Sequence, residues 1–312
     1  MKNRALSTNH LVSIQDLTVD DVALILDLSR AMKAHPGRYR GALSRKTLAM
    51  IFQKPSTRTR ISFQVGIHQL GGMGMSLGFN ELQLGRGETV ADTARVLSRY
   101  VDGVMARVYA HGDIIGLAAS SSVPVINGLS DLLHPCQAIC DWFTVLERFG
   151  TFEGVKVTYV GDGNNVVHSL ANAAAKLGGH LVIATPGGSY RPNDELVARA
   201  REDGKQTGAR IELSEDPTEA VSGARVVYTD VWTSMGQEEQ AKQRRQDLAP
   251  FQVNAALFAK AAPDAIFMHC LPAHRGEEVT DEVADHQRSV IFDQAENRLH
   301  TQKAVMALLM GD

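Results

Sequence analysis

Apolar positions along the chain come in two alternating spacings. Short apolar runs closed by turn residues, at 47–52, 73–77, 102–108 and 123–127 and again at 155–160, 180–185, 209–213, 224–228 and 265–268, have the length of strands. Between them, apolar residues return at helical spacing: Val22, Leu24, Ile25, Leu26 and Leu28 behind a Thr18–Asp21 capping pair, 61–67 behind Ser56, and Ile139, Trp142, Phe143, Val145 and Leu146 behind Pro135. This alternation predicts an α/β protein. Glycines at 150 and 154 bracket a break, so the reading is two doubly wound domains with central parallel sheets, residues 1–147 and 148–292. The active site is expected in the cleft between them. Residues 290–292 read as a last strand. A helix over 293–312, apolar at Ala304, Val305, Leu308 and Leu309, is expected to pack back on the first domain and bring Arg298 near the cleft; a surface arginine is the alternative.

The turn after the first strand carries the strongest chemistry. Pro55 holds Lys54 extended and Ser56 suits an N-cap, so the next helix presents unpaired N–H groups beside the hydroxyls of Ser56, Thr57 and Thr59 and the guanidinium of Arg58. That is an anion pocket. Arg58 and Arg60, two apart on a helix, point in different directions, which assigns Arg58 to the anion and Arg60 to structural support. A capped helix with two solvated arginines is the plainer alternative. Arg107 ends an apolar strand, where a buried guanidinium calls for an anionic partner. His134 and Gln137 sit at the start of the Pro135 helix, His134 being either a ligand or a satisfied core residue. In open parallel sheets ligands bind beyond the carboxyl ends of strands, and these residues all fall there. Together they suit a phosphate joined to a polar carbonyl.

In the second half, Gly161-Asp162-Gly163-Asn164-Asn165 invites a dinucleotide reading, yet Val166 replaces the third glycine and the next strand ends in Thr185-Pro186 with no acid for a ribose. The strand ends offer instead Asn165, Asp230, the Ser234-Met235-Gly236 turn and His269-Cys270-Leu271-Pro272, which suit an amino-acid zwitterion; Asp230 alone also reads as a cap. His134, Cys136, Cys140 and Cys270 match no zinc spacing, and Cys136 and Cys140 read as helix packing. Cys270 as a nucleophile lacks a recognisable base. The glycine-punctuated stretch 78–88 reads as a mobile loop.

Composition narrows the class. The chain has 312 residues, 44% of them hydrophobic, and a formal net charge of −3, values of a soluble two-domain protein that binds neither nucleic acid nor membrane. No apolar run approaches the roughly 20 residues that span a bilayer, and the first ten residues lack the apolar core of a secretory signal. Three cysteines are expected to stay reduced, which points to the cytoplasm.

Four motifs occur in one order: Ser56-Thr57-Arg58-Thr59-Arg60, His134-Pro135-Cys136-Gln137, Asp230-Val231-Trp232-Thr233-Ser234-Met235-Gly236 and His269-Cys270-Leu271-Pro272. In this the chain resembles the ornithine carbamoyltransferases over nearly its whole length; aspartate carbamoyltransferases share the first two motifs only. The resemblance implies carbamoyl transfer from carbamoyl phosphate to the δ-amine of L-ornithine, within arginine metabolism, with no cofactor and no metal. It assigns Ser56, Thr57, Arg58 and Thr59 to the phosphate, and Arg107, His134 and Gln137 to the carbonyl. Asn165, Asp230, Ser234 and Met235 take the amino acid, and Cys270, Leu271 and Arg298 line the reacting centre. It also implies a homotrimer, or a multiple of trimers, in which the 78–88 loop of a neighbour reaches the phosphate, with Gln83 as its contact. Gln53 and Gln64 stand where glutamates are usual, and Arg86 where lysine is often seen.

Overall fold

A computed structural model describes residues 6–78, 82–83, 87–233 and 238–311. The chain divides into two compact units, Met1–Phe143 with Asn297–Asp312, and Thr144–Glu296.

The first unit holds a four-stranded parallel sheet, β1 (Thr47–Phe52), β2 (Met73–Gly78), β3 (Gly103–Arg107) and β4 (Val125–Leu129), in the order β2-β1-β3-β4. Its helices are α1 (Val19–Ala34), α2 (Thr57–Gln69), α3 (Val90–Leu97) and α4 (His111–Ser120), and α5 (Pro135–Phe149) starts within it. Ala49, Ile51, Val104, Ala106, Ile114, Leu117 and Val125 form a buried cluster between sheet and helices. After β1 the chain moves first to one side, to β2, and then to the other, to β3. The crevice beyond β1 and β3 is therefore the topological switch point. The turn leading to Ser56 leaves β1, and Arg107 closes β3 in register with Phe52.

The second unit repeats the scheme with β5 (Lys156–Val160), β6 (His180–Ala184), β7 (Arg210–Ser214), β8 (Val226–Thr229) and β9 (Ile266–His269), ordered β7-β6-β5-β8-β9 and parallel throughout. The helices α6 (Asn165–Leu177), α7 (Asp194–Gly204), α8 (Pro217–Val221), α9 (Ala241–Leu248), α10 (Ala255–Phe258) and α11 (Asp281–Ala284) connect them, and α12 (Ile291–Met310) begins here and ends in the first unit. The switch point falls between β5 and β8, so the Asp162–Asn165 turn and Asp230 flank it.

Two expectations are corrected. Residues 290–292 are not a strand: Phe267 and Ser289 form an isolated bridge, and helix α12 begins at Ile291, with Gln294 N–H donating to Val290 O at 2.8 Å. Three apolar residues are too few for periodicity to separate strand from helix. The helical spacing expected over 61–67 does not bring its apolar residues to one buried face either. Phe63 and Ile67 are buried, whereas Ile61 and Val65 are 54% and 38% exposed. Within the first unit the end of α12 lies on α2 at Gly66, where a Cβ would meet Met306 Cε at 3.0 Å and Lys303 Cγ at 3.3 Å.

Candidate active site

In the first unit Ser56 is the N-cap of α2, extended at φ −162° and ψ 111°, and its hydroxyl accepts from Thr59 N–H at 3.2 Å. The first turn of α2 holds no acid, unlike those of α1 and α3, so no carboxylate of that turn offsets its positive end. Arg298, 240 residues away in sequence from Arg58, lies buried in the same unit. One Nη donates to Gln137 Oε1 and the other to Thr59 Oγ1 at 3.3 Å. Gln137 Nε2 in turn donates to Asp141 Oδ1 at 2.7 Å. With its amide turned to suit both neighbours, Gln302 accepts from Arg298 Nε at 3.0 Å and Nη2 at 2.9 Å and donates to Ser62 Oγ at 2.6 Å. A guanidinium with this many fixed contacts is held in one orientation.

His134 is buried at the start of α5. Burial first, and then the positive charges of Arg298, Arg107 and Arg58, hold its imidazole well below the ordinary range for protonation. It is neutral at physiological pH, able to donate one N–H to a carbonyl oxygen without adding a fourth positive charge. Ser56, Thr59, Arg58, Arg107, His134, Gln137 and Arg298 are thus brought into one electrostatic neighbourhood of a single unit. Thr57 and Arg60 are exposed, and with Phe52, Pro55, Ser56, Ile61, Ser76 and Gly78 they line a cavity of about 570 Å³. Gln83 is exposed, and its side chain makes no hydrogen bond among the described residues. Cys136 and Cys140 are buried in α5, and burial pushes the Cys136 thiol up to about 12, which suits packing and not chemistry.

In the second unit Asp230, buried at the end of β8, accepts from Asn164 Nδ2 at 2.8 Å through one oxygen and from the Cys270 thiol at 2.8 Å through the other. Asn164 also caps α6, accepting from Val166 and Val167 N–H at 3.0 and 3.4 Å, and Asn165 is the first residue of that helix. A second carboxylate, Asp162, is acted on by Asp230 and paired with the buried guanidinium of Arg244. Burial and the nearby Asp230 push Asp162 up to about 6 against the pull of Arg244. Arg244 also donates to Trp232 O and lies 5.0 Å over the Tyr190 ring. His269 Nδ1 accepts from Leu271 N–H at 2.8 Å, so Nε2 carries the hydrogen and faces Glu278 Oε1 at 3.1 Å. That fixes the backbone of Leu271, which has a φ of +58°. Asp230, His269 and Cys270 bring potential metal-ligating atoms within 4.8 Å of one another, although both His269 nitrogens are already committed. Ser234, Met235 and Gly236 lie outside the described residues, as does Arg86.

The second glycine of the Gly161–Asn165 turn serves the fold. A Cβ on Gly163 would lie 2.2 Å from Pro192 N and 2.5 Å from Tyr190 O, and Gly163 N–H donates to Tyr190 O at 2.8 Å. The chain's own residues 190–192 thus occupy the close approach that a pyrophosphate needs in a dinucleotide fold. The sequence does not single out Asp162, Asn164 or Arg244 as site residues. Asn164 had a local signal, an Asn directly before a helix; Arg244, in the polar helix α9, had none.

The first unit therefore presents donors and positive charge for an oxyanion and a carbonyl, and the second a carboxylate, an amide and a thiol suited to an amine. Comparison with known proteins agrees with this division. The family model for the aspartate/ornithine carbamoyltransferase carbamoyl-P binding domain matches residues 9–147, and that for the Asp/Orn binding domain matches residues 153–309. The chain is 58% identical to the ornithine carbamoyltransferase of Thermococcus kodakarensis, over 98% of each chain. It is 56% identical to the anabolic ornithine carbamoyltransferase of Pyrococcus furiosus, again over 98% of each. The solved ornithine carbamoyltransferase from Pyrococcus furiosus superposes with a TM-score of 0.93 over 96% of each chain at 56% identity, and that from Gloeobacter violaceus with 0.88 at 46%, over 97% of this chain and 99% of that one. With both halves matched in order and relatives this similar over nearly its full length, the chain belongs to the aspartate/ornithine carbamoyltransferase family.

Proposed function

We propose that this chain is an ornithine carbamoyltransferase, moving the carbamoyl group of carbamoyl phosphate to the δ-amine of L-ornithine to give L-citrulline and phosphate. The observation that carries this reading is the neutral His134 held among Arg58, Arg107 and Arg298 beside the N-terminus of α2. Ser56, Thr57, Arg58 and Thr59 take the phosphate. Arg107, His134, Gln137 and Arg298 face the carbamoyl group, to which Cys270 and Leu271 are also assigned. Asn165 and Asp230 take the amino acid, together with Ser234 and Met235, which the motif alone carries.

An alkyl amine with a pKa near 10.4 costs about 4–5 kcal/mol to deprotonate at pH 7. Attack by the neutral amine puts negative charge on the carbamoyl oxygen, where each positioned donor contributes about 2–4 kcal/mol to lowering the barrier. Phosphate departs as the C–N bond forms, and its oxygens accept the amine proton, so no dedicated protein base is needed. The anabolic description of the Pyrococcus furiosus relative supports arginine synthesis as the direction. No described helix is long and apolar enough to cross a membrane, and the cytoplasm is the compartment of this reading.

Assembly belongs to the same proposal. Ile61, Val65, Met73 and Met75 are exposed apolar side chains on α2 and the edge strand β2, elements that also line the cavity beside Ser56 and Thr57. An edge strand with exposed apolar neighbours is a surface that a second chain covers, which fits a homotrimer whose neighbouring 78–88 loop brings Gln83 to the phosphate. A citrulline assay offering ornithine, putrescine and aspartate in turn tests the function. Citrulline from ornithine alone is expected; ornithine binding without citrulline would leave a non-catalytic sensor. A folded Arg58→Ala variant with near-normal turnover would remove the phosphate assignment.

A further inference from the structure

The two strand ends that supply Ser56 and Arg107 are joined by one side chain. Gln53 N–H donates to Arg107 O at 2.9 Å. Its amide oxygen accepts from Tyr109 N–H at 2.8 Å, and its amide nitrogen donates to Asp113 Oδ2 at 3.2 Å. A backbone N–H can only donate and a carboxylate can only accept, so the orientation of the amide is fixed by its neighbours. The far side of the same turn is tied to β4 and to the residues just beyond its end: Val108 N–H donates to Leu129 O at 3.0 Å, Asp131 N–H to Tyr109 O at 3.0 Å, and His111 N–H to Asp131 Oδ1 at 2.8 Å. Gln53 supplies the near side, helped by the Lys54 ammonium 4.6 Å over the Tyr109 ring.

Position 53 therefore needs one acceptor and one donor. A glutamate here would offer only acceptors when ionised and would set a second carboxylate against Asp113. We propose that Gln53 is a positioning residue for the carbamoyl-phosphate site, required as an amide because Asp113 is its partner, and that it holds the Arg107 turn against the Ser56 turn. This rests on the function proposed above. Among the described residues, other charged or titratable groups around the turn include Lys54, Arg107, Tyr109, His111, Asp131 and Asp16, which acts on His111, and all are unchanged in the variants that test it.

The experiment compares wild type, Gln53→Glu, Asp113→Asn and the exchange Gln53→Glu/Asp113→Asn. Each is assayed for kcat/KM toward carbamoyl phosphate, for KM toward ornithine and for thermal melting between pH 6 and 8.5. Gln53→Glu is expected to lose about tenfold in kcat/KM for carbamoyl phosphate at pH 8, from like charges at hydrogen-bond distance at a half-buried site. Its ratio to wild type rises as pH falls, because one carboxyl of the facing pair takes up a proton. Asp113→Asn stays near wild type, since an asparagine oxygen still accepts from Gln53. The exchange recovers to within about threefold, its asparagine now donating to the glutamate. A Gln53→Glu enzyme equal to wild type across the pH range overturns the proposal, as does an exchange variant no better than Gln53→Glu. If Gln53→Glu fails to fold, a folded and active exchange variant supports the pairing and an unfolded one refutes it. Wild type that makes no citrulline refutes the proposed function instead, while the melting series still reads the pairing.

Discussion

Asp162 titrates where few carboxylates do, and replacing it with asparagine makes that visible as stability. Its folded-state value of about 6 lies above the ordinary 3.8. Between those values the folded chain binds the proton more tightly than the unfolded chain, so stability falls as pH rises. The benefit is whole below about pH 4 and gone once pH has passed through 6. At 1.36 kcal/mol per unit, the full difference is about 3 kcal/mol, of which about 2 kcal/mol falls between pH 4.5 and 7.5. Asp162→Asn carries no such titration, so its stability relative to wild type should climb by about 2 kcal/mol across that window, whatever constant offset the lost Arg244 pairing adds. Urea unfolding at a series of pH values measures this. Trp232, whose carbonyl accepts from Arg244, reports on the second unit in a Trp142→Phe background, Trp142 lying in the first. Carboxylates that do not act on Asp162 are common to both proteins and cancel in the difference, whereas the Asp230 coupling is part of what the comparison reads. A gap between the two that stays constant from pH 4.5 to 7.5 would refute the account of Asp162 as a buried carboxylate pressed by Asp230.

Three further outcomes rest on single contacts. Arg298→Met removes the strongest of the charges acting on His134, so the imidazole resonance should titrate at higher pH in a histidine NMR titration, and turnover should drop by about 100-fold; an unmoved titration would deny the charge coupling. Gly163→Ala pushes a Cβ into the backbone of 190–192 and should cost about 3 kcal/mol, read as a sharply lowered melting transition; wild-type melting would refute the close approach. Lys303 is buried with its ammonium donating to the neutral Gln69 Oε1 at 3.0 Å, and burial lowers its pKa. Because the unfolded chain holds that proton more tightly, wild-type stability should rise as pH climbs toward 10.5. Lys303→Met should flatten that slope and leave the protein at least as stable at pH 7; a lower melting temperature for the variant would count against it.

Much of this protein is local and was therefore legible in the order of its residues. Strand and helix alternate because apolar spacing switches between two periods, and the caps Thr18 and Ser56 and the first helical residue Pro135 lie at the helices they start. The turn after β1 is local as well, which is why Ser56, Thr57, Arg58 and Thr59 were readable as a group. Periodicity gave no account of which strand ends become neighbours. That depends on strand order, and strand order is decided by how each crossover packs on its sheet. Only the folded chain brings Arg298 to Thr59 and Gln137, sets Asn164 and Cys270 on the two oxygens of Asp230, and slides Arg244 under Trp232. The neutrality of His134 was likewise beyond reach of the sequence, because it depends on burial and on three charges drawn from three separate elements. Contacts that span hundreds of residues leave no mark on local spacing, and the ionisation of buried groups is a property of those contacts.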